Sequence, residues 1–441
     1  MNFKKMIFTF SLIAVITSAL FFSSCNTGND SVSTTAALTD ALLTDEEISG
    51  TESDAAAETV TDITTEAENA TLPLEGDSES VSDTVAEAAS TTKPEEETTM
   101  SEEDMIKAEY DEFFSTIPYP SYELTDDDEP VFIGRWFTKE INGTMHHVTV
   151  TDGSTFHFLI EGAASFDLNY TVITLRKTPY FSYSIDGKSP IRQLITNPTV
   201  KLPDQGRHTV CIYADGLTEG EGKWQDERGF AFKDVTVPDG GSIKGIRPKN
   251  KVIAFYGDSI TEGIRALGMT ADSDGNSATN SYPYHCSAEL GAMPYWVGYG
   301  ASGLTRLGSF NTFINAIDYM SANVAVPDDF KPDLIVVNHG TNDGSASVTD
   351  FRNALDDALV RLTKKYPDTP VIYAIPFRQT QADSIRRVCK RFKNVTVIET
   401  SSWEISYTDG VHPNAQGAQE AGHLLAEAIK NALGEEFFKV D

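Results

Sequence analysis

The 441-residue chain carries 66 acidic against 34 basic side chains, a formal net charge of −32 at pH 7. That balance argues against nucleic acid as a partner, which calls for a basic surface. Its four cysteines are widely spaced with no C-x-x-C pair, so neither a zinc site nor a disulfide framework is suggested.

Residues 1–25, MNFKKMIFTFSLIAVITSALFFSSC, join a Lys4-Lys5 start to an apolar stretch and a small-residue site. This is the pattern of a secretory signal segment, set aside from fold reasoning. Its end, Phe22-Ser23-Ser24-Cys25, resembles a bacterial lipobox and makes Cys25 the candidate lipidated residue; ordinary cleavage beside a chance cysteine is the alternative. A lipid anchor there tethers the protein to a membrane, outside the cytoplasm, without spanning it. No other stretch reaches the ~20 apolar residues of a transmembrane helix.

Residues 26–104 hold 22 Asp or Glu against one basic residue, Lys93, and no aromatic. Such a segment buries too little apolar surface to offset the entropy of ordering. It is expected to be an extended, self-repelling linker that supplies most of the charge. A lead-in segment, 105–129, separates it from the folded part. Cys211, Cys286 and Cys389 lie in that folded part and read as buried small apolar residues.

From 130 to 237 short alternating runs such as VFIGRWF, STFHFLI, YFSYSIDG and RHTVCIYAD are punctuated by turn residues. They predict an all-β, antiparallel sandwich. PDGGSIKGIRPKNK, 238–251, reads as an interdomain connector. Beyond it the rhythm changes. Apolar runs VIAFYG, YWVGYG, LIVVNHG, PVIYAIP and NVTVIE alternate with longer segments of helical period, which predicts a parallel α/β sheet. Such sheets bind ligands at the carboxyl ends of their strands.

FYGDSITEG, 255–263, delivers an Asp-Ser pair at one of those ends. Ser259 with Glu262 three residues on fits a capping box, a purely local role. The G-x-S-x-G elbow of α/β-hydrolases is absent. However, GDSITEG, GYGASGLT, NHGTND and DGVHPN occur in that order. On these four blocks, residues 252–436 resemble the SGNH (GDSL-type) hydrolase superfamily. The resemblance implies a three-layer, flavodoxin-like domain preceded here by a jelly-roll-like sandwich. It implies Ser259 as nucleophile, His412 as base and Asp409 as the acid that orients it. Ser259, Gly303 and Asn342 would supply the oxyanion hole, with Gly300 as the alternative to Gly303. Asp258 is assigned a structural role, bracing the loop.

The chemistry needs these residue types. A serine hydroxyl attacks a carbonyl only when a base takes its proton, and a carboxylate fixes the imidazole in the right tautomer. No metal or other cofactor is required. TADSDGNSATN, 270–280, lacks the ligand spacing of a calcium loop and reads as a solvated loop beside the cleft.

A sandwich before this domain resembles carbohydrate esterase family 2, on FIGRWF and FAFKDVTVPDGG. Some members of that family lack the triad carboxylate, whereas Asp409 is present here. The resemblance implies an acetylated polysaccharide substrate such as xylan, mannan or glucomannan. Trp403 is the first candidate sugar platform, with Trp296 and Tyr299 behind it. Two alternatives stay open: a lipase, lysophospholipase, thioesterase or arylesterase on the same machinery, and a surface glycan-binding lipoprotein without catalysis.

Overall fold

The computed structural model describes residues 101–439 apart from 174, 309 and 310. The signal segment, Cys25 and nearly all of the acidic linker lie outside the described residues. Helix α1 (Glu102–Ser115) opens the described part. Ser101 caps it, accepting from the Asp104 N–H, and Glu102, Glu103 and Asp104 in the first turn complement the helix dipole. Tyr110 and Phe114 then bury against Ile117, Tyr122, Leu159 and Ile246. The lead-in is therefore a helix docked on the sandwich.

Twelve strands follow: β1 (Tyr122–Leu124), β2 (Val131–Ile133), β3 (Trp136–Ile141), β4 (Thr144–Thr149), β5 (Thr155–Glu161), β6 (Ser165–Val172), β7 (Tyr180–Ile185), β8 (Ile191–Leu194), β9 (Thr199–Lys201), β10 (His208–Gly216), β11 (Phe230–Thr236) and β12 (Ser242–Pro248). They form one seven-stranded sheet, β1-β12-β5-β10-β7-β8 with β2 also on β5, and one five-stranded sheet, β3-β4-β11-β6-β9. All pairings are antiparallel. The period of two sorts the side chains of β10. Val210 and Ile212 enter the sandwich core with Phe156, Phe158, Phe181 and Phe232. Cys211 and Tyr213 face the other way, packing with Ala278 and Trp296 of the α/β domain. Both faces of this strand are buried, which explains its nearly continuous apolar run.

The connector expected at 238–251 is instead largely strand β12. Its Ile243 pairs with Ile160 of β5 and its Arg247 with Glu123 of β1. The open ladder edge of β5 accounts for this, because its unpaired backbone groups need partners. Sandwich strands thus span 122–248, leaving Lys249–Lys251 as the crossing.

The second domain contains β13 (Val252–Gly257), α2 (Ser259–Glu262), α3 (Tyr282–Leu290), β14 (Met293–Gly298), α4 (Phe313–Asp318), a hairpin of β15 (Tyr319–Ser321) and β16 (Val324–Ala325), β17 (Leu334–Asn338), α5 (Val348–Lys365), β18 (Val371–Ala374), α6 (Ala382–Cys389), β19 (Val395–Ile398) and α7 (Ala415–Leu433). Its parallel sheet has the order β14-β13-β17-β18-β19, the doubly wound arrangement expected. On one face, α5 contributes Phe351, Leu355, Ala358, Leu359 and Leu362, a single helical stripe. On the other, α7 contributes Ala421, Leu425, Ala426 and Ile429, against Cys286 and Leu290 of α3. Strand order reverses between β13 and β17, and the carboxyl ends of strands at such a switch point are where sheets of this kind bind ligands. No helix among the described residues is long and apolar enough to cross a membrane. Cys211, Cys286 and Cys389 are free and buried.

Candidate active site

Strand β13 runs apolar to Gly257, where a Cβ would collide with the Thr261 side chain. The cap of α2 is Asp258 rather than Ser259: Asp258 Oδ1 accepts from the Ile260 N–H at 3.0 Å. The local capping role therefore falls one residue earlier than the sequence suggests. The one-turn helix is closed by Gly263 at φ 90°, whose N–H donates to Ser259 O at 3.1 Å. Freed from capping, the Ser259 hydroxyl meets His412 Nε2 at 2.9 Å.

His412 comes from the loop before α7. That loop is shaped by a bridge between Tyr407 and Pro413 and by the Thr408 N–H donating to His412 O at 2.9 Å. Asn414 caps α7, accepting from the Gly417 N–H. Asp409 Oδ1 accepts from the backbone N–H groups of Val411 and His412, at 3.0 and 2.8 Å. The same turn sets Asp409 Oδ2 2.9 Å from His412 Nδ1. Burial works to raise the Asp409 pKa, but hydrogen bonds from His412, Val411 and Arg265 outweigh it and hold the carboxyl well below the usual range. An ionised carboxylate only accepts, so Nδ1 carries the hydrogen and Nε2 faces Ser259 as acceptor.

The block after β17 stands on the other side of Ser259. Asn342 Nδ2 donates to Asp258 Oδ2 at 3.2 Å and to Ser302 O at 2.9 Å. Asp258 is fully buried; burial, reinforced by nearby Asp343, pushes its carboxyl up to about 7. Asp343 is the organiser of the 304–306 loop. Its carboxylate accepts from Leu304 N, Thr305 N and Thr305 Oγ1 at 2.9, 2.7 and 2.7 Å, and from Arg306 N at 3.3 Å. Gly303 lies so close that a Cβ would sit 2.6 Å from Asp343 Oδ2. Its N–H donates to Arg306 O at 3.0 Å, within its own loop. In this conformation Gly303 is therefore a packing glycine with an engaged amide, rather than a donor turned toward the serine. At Gly300, the place of a Cβ is filled by the Glu219 side chain.

Two expected sugar platforms are core residues. Trp296 is buried between the domains, its Nε1 donating to Ser281 Oγ at 3.2 Å. Tyr299 is buried edge-on to Trp224, and its hydroxyl donates to Met320 O at 2.7 Å. Both follow from YWVGYG forming the edge strand β14 and its exit, which the sandwich covers. Trp403 is half-buried, its ring 5.8 Å from that of Phe377.

Sequence reasoning missed three neighbours. Arg265 Nη1 reaches Asp409 Oδ2 at 2.5 Å. Asp343 holds the loop just described. Lys223, on the sandwich loop between β10 and β11, is wholly buried beneath α2, bonded to Glu262 and 3.2 Å from Asp152 Oδ2. Only Asp343 had a sequence signal, its position beside Asn342. The 270–280 loop is a buried seam rather than solvated: Asp215 Oδ1 accepts from Thr279 N and Thr279 Oγ1 at 2.8 Å, and Arg192 Nε reaches Asp215 Oδ2 at 2.9 Å.

Residues 255–420 match the model of the GDSL-like Lipase/Acylhydrolase family. The α/β domain is thus that of a GDSL-type carboxylic ester hydrolase. The solved structures that share its two-domain fold include a family two carbohydrate esterase from Clostridium thermocellum in complex with cellohexaose (TM-score 0.56, 19% identity, 69% of this chain and 99% of that one). A carbohydrate esterase family 2 enzyme plus carbohydrate binding domain from Corynascus thermopiles gives 0.56 at 21% identity, over 69% and 99%. An acetyl xylan esterase from the rumen bacterium Butyrivibrio proteoclasticus gives 0.57 at 16% identity, over 71% and 98%. No curated protein sequence matches the chain.

Proposed function

We propose that the protein is an O-acetyl esterase that removes acetyl groups from plant polysaccharides such as xylan, mannan or glucomannan, tethered outside the cytoplasm through Cys25. The observation that carries the chemistry is the hydrogen-bonded line Ser259 Oγ, His412, Asp409, with 2.9 Å at each step, just past the carboxyl end of β13. The polysaccharide is supported by the likeness to an esterase held with cellohexaose and to an acetyl xylan esterase.

In this reading His412 Nε2 takes the Ser259 proton as Oγ attacks the acetyl carbonyl. Asp409 stabilises the imidazolium that forms. The N–H of Ser259, at the first position of α2 where no intrahelical acceptor exists, stabilises the oxyanion, and Asn342 Nδ2 joins it by exchanging its 3.2 Å bond to Asp258 Oδ2 for the oxyanion. His412 then protonates the departing sugar oxygen. Water, deprotonated by the same imidazole, attacks the acetyl-enzyme and releases acetate.

Ser259→Ala is the direct test: acetate release from acetylated xylan and glucomannan should fall to background. Undiminished turnover refutes the assignment. Comparing acetyl with octanoyl esters checks the acyl preference, since a preference for the longer chain requires an acyl groove and contradicts an acetyl esterase.

A further inference from the structure

The Asp409 carboxylate has a second cationic partner that a Ser-His-Asp mechanism does not require. Arg265 lies two residues beyond Gly263, which closes the nucleophile helix, and its backbone is left-handed at φ 58°. Its N–H donates to Asn276 Oδ1 at 3.0 Å, and its carbonyl accepts from Thr408 Oγ1 at 2.7 Å. Thr408 directly precedes Asp409, so the main chain of Arg265 is tied to the His412 loop. From that anchor the guanidinium reaches Asp409 Oδ2 at 2.5 Å, the same oxygen that His412 Nδ1 meets at 2.9 Å. The Arg265 side chain is about a third exposed, at 32%, whereas Asp409 keeps only 13%.

Resting on the Ser-His-Asp reading above, we infer that Arg265 is a positioning residue of the catalytic pair, which sets the basicity of His412 by sharing Asp409 Oδ2 with it. Once His412 is protonated, two cations share one carboxylate oxygen, at 2.5 and 2.9 Å from it. Arg265 therefore disfavours the imidazolium and keeps His412 available as a base at lower pH. It also takes up part of the negative charge that would hold the imidazolium.

The other charged or titratable groups around this pair are few among the described residues. Arg378, from the loop between β18 and α6, bonds to Gly410 O, and Tyr407 lies on the His412 loop itself. Asp258 and Asp343 stand behind Ser259, reached through Asn342 and the 304–306 loop. Neither carboxylate hydrogen-bonds to the imidazole, which leaves Arg265 as the cation in direct contact with its acid.

The experiment is the pH profile of kcat/KM on an acetyl ester for Arg265→Gln and Arg265→Gly. Glycine suits the positive φ, so the second variant removes the guanidinium without asking the backbone to move. Acid-limb pKa values in kcat/KM report the free enzyme's base. That limb should move upward by about one pH unit in both variants, the size expected for one charge at this distance and partial exposure. A uniform loss of kcat/KM at every pH in the Arg265 variants, with an unmoved limb, overturns the inference while leaving the esterase reading intact. Full activity in Ser259→Ala defeats that reading instead, and the two failures are separately visible.

Discussion

Replacing Lys223 by methionine removes a charge from a place where three charged groups meet without solvent. Lys223, Asp152 and Glu262 are each exposed by no more than 1%. The ammonium is bonded to Glu262 Oε1 and lies 3.2 Å from Asp152 Oδ2, while Asp152 Oδ1 and Glu262 Oε2 have no partner. Burial raises both carboxyls, Glu262 to about 8, against the opposing pull of Lys223. Methionine keeps most of the volume, so the cost is electrostatic: two buried carboxyls lose their cation. Breaking such a pair from one side costs about 3–5 kcal/mol. With a urea m-value of about 3 kcal/mol/M, the unfolding midpoint at pH 7 should fall by about 1–2 M. Adding Glu262→Gln should recover part of that loss, because one uncompensated carboxyl is gone. The sign with pH follows from the raised carboxyls: their favourable share is complete below the unfolded value near 4.5 and is lost as pH rises through about 8. The deficit of the variant should therefore shrink toward pH 4 and grow above neutrality. A midpoint within about 0.3 M of the wild type at pH 7 would refute this account.

Asp343→Ala removes the acceptor for Leu304 N, Thr305 N and Oγ1, and Arg306 N. The loop beside the serine should shift, lowering kcat/KM on the order of 10²-fold with far-UV circular dichroism unchanged; activity within twofold of wild type would show that the loop does not set the site. Asp258→Asn keeps an acceptor for the Ile260 N–H but removes a titrating group raised to about 7. The wild type should lose this group's stabilising share as pH rises from about 4 through about 7, and Asp258→Asn should flatten that part of the Tm profile. An identical slope in the two proteins counts against the buried, raised carboxyl.

Much of this fold was legible because the patterns are local. The runs VIAFYG, LIVVNHG and PVIYAIP are short, apolar and flanked by turn residues, and each became a parallel strand. The meeting of Ser259 with His412 was legible only through the order of the four blocks, since 153 positions separate them. What sequence hid depends on what packs against a strand from outside it. β12 looked like a connector because Gly and Lys dilute its apolar content, yet the free edge of β5 recruits it. Trp296 and Tyr299 looked like sugar platforms because an aromatic residue carries no mark of which surface will cover it. Gly303 carries the family pattern, but whether its amide faces the serine depends on the turn closed by Arg306 O.

The seam between the domains gives the sandwich a mechanical role in the site. Gly153, at φ 91°, leaves no room for a Cβ against the Trp296 ring, so a sandwich turn sits directly on strand β14. Trp224 packs edge-on against Tyr299 at 5.5 Å, at the start of the loop that leads to Gly303. Asp215 pins Ser277 and Thr279, and Asn276 of the same segment accepts from the Arg265 N–H. Lys223 underlies α2 through Glu262, three residues past Ser259. The segments that follow β13 and β14 are therefore each held from behind by a residue of the sandwich. The buried cluster makes that grip direct, because Lys223 bonds to Glu262 of α2 and stands 3.2 Å from Asp152 of the sandwich. A sandwich that served only to bind glycan would not need its longest buried strand, β10, to face the hydrolase with Cys211 and Tyr213. The two domains work as one support for the hydrogen-bonded line of Ser259, His412 and Asp409.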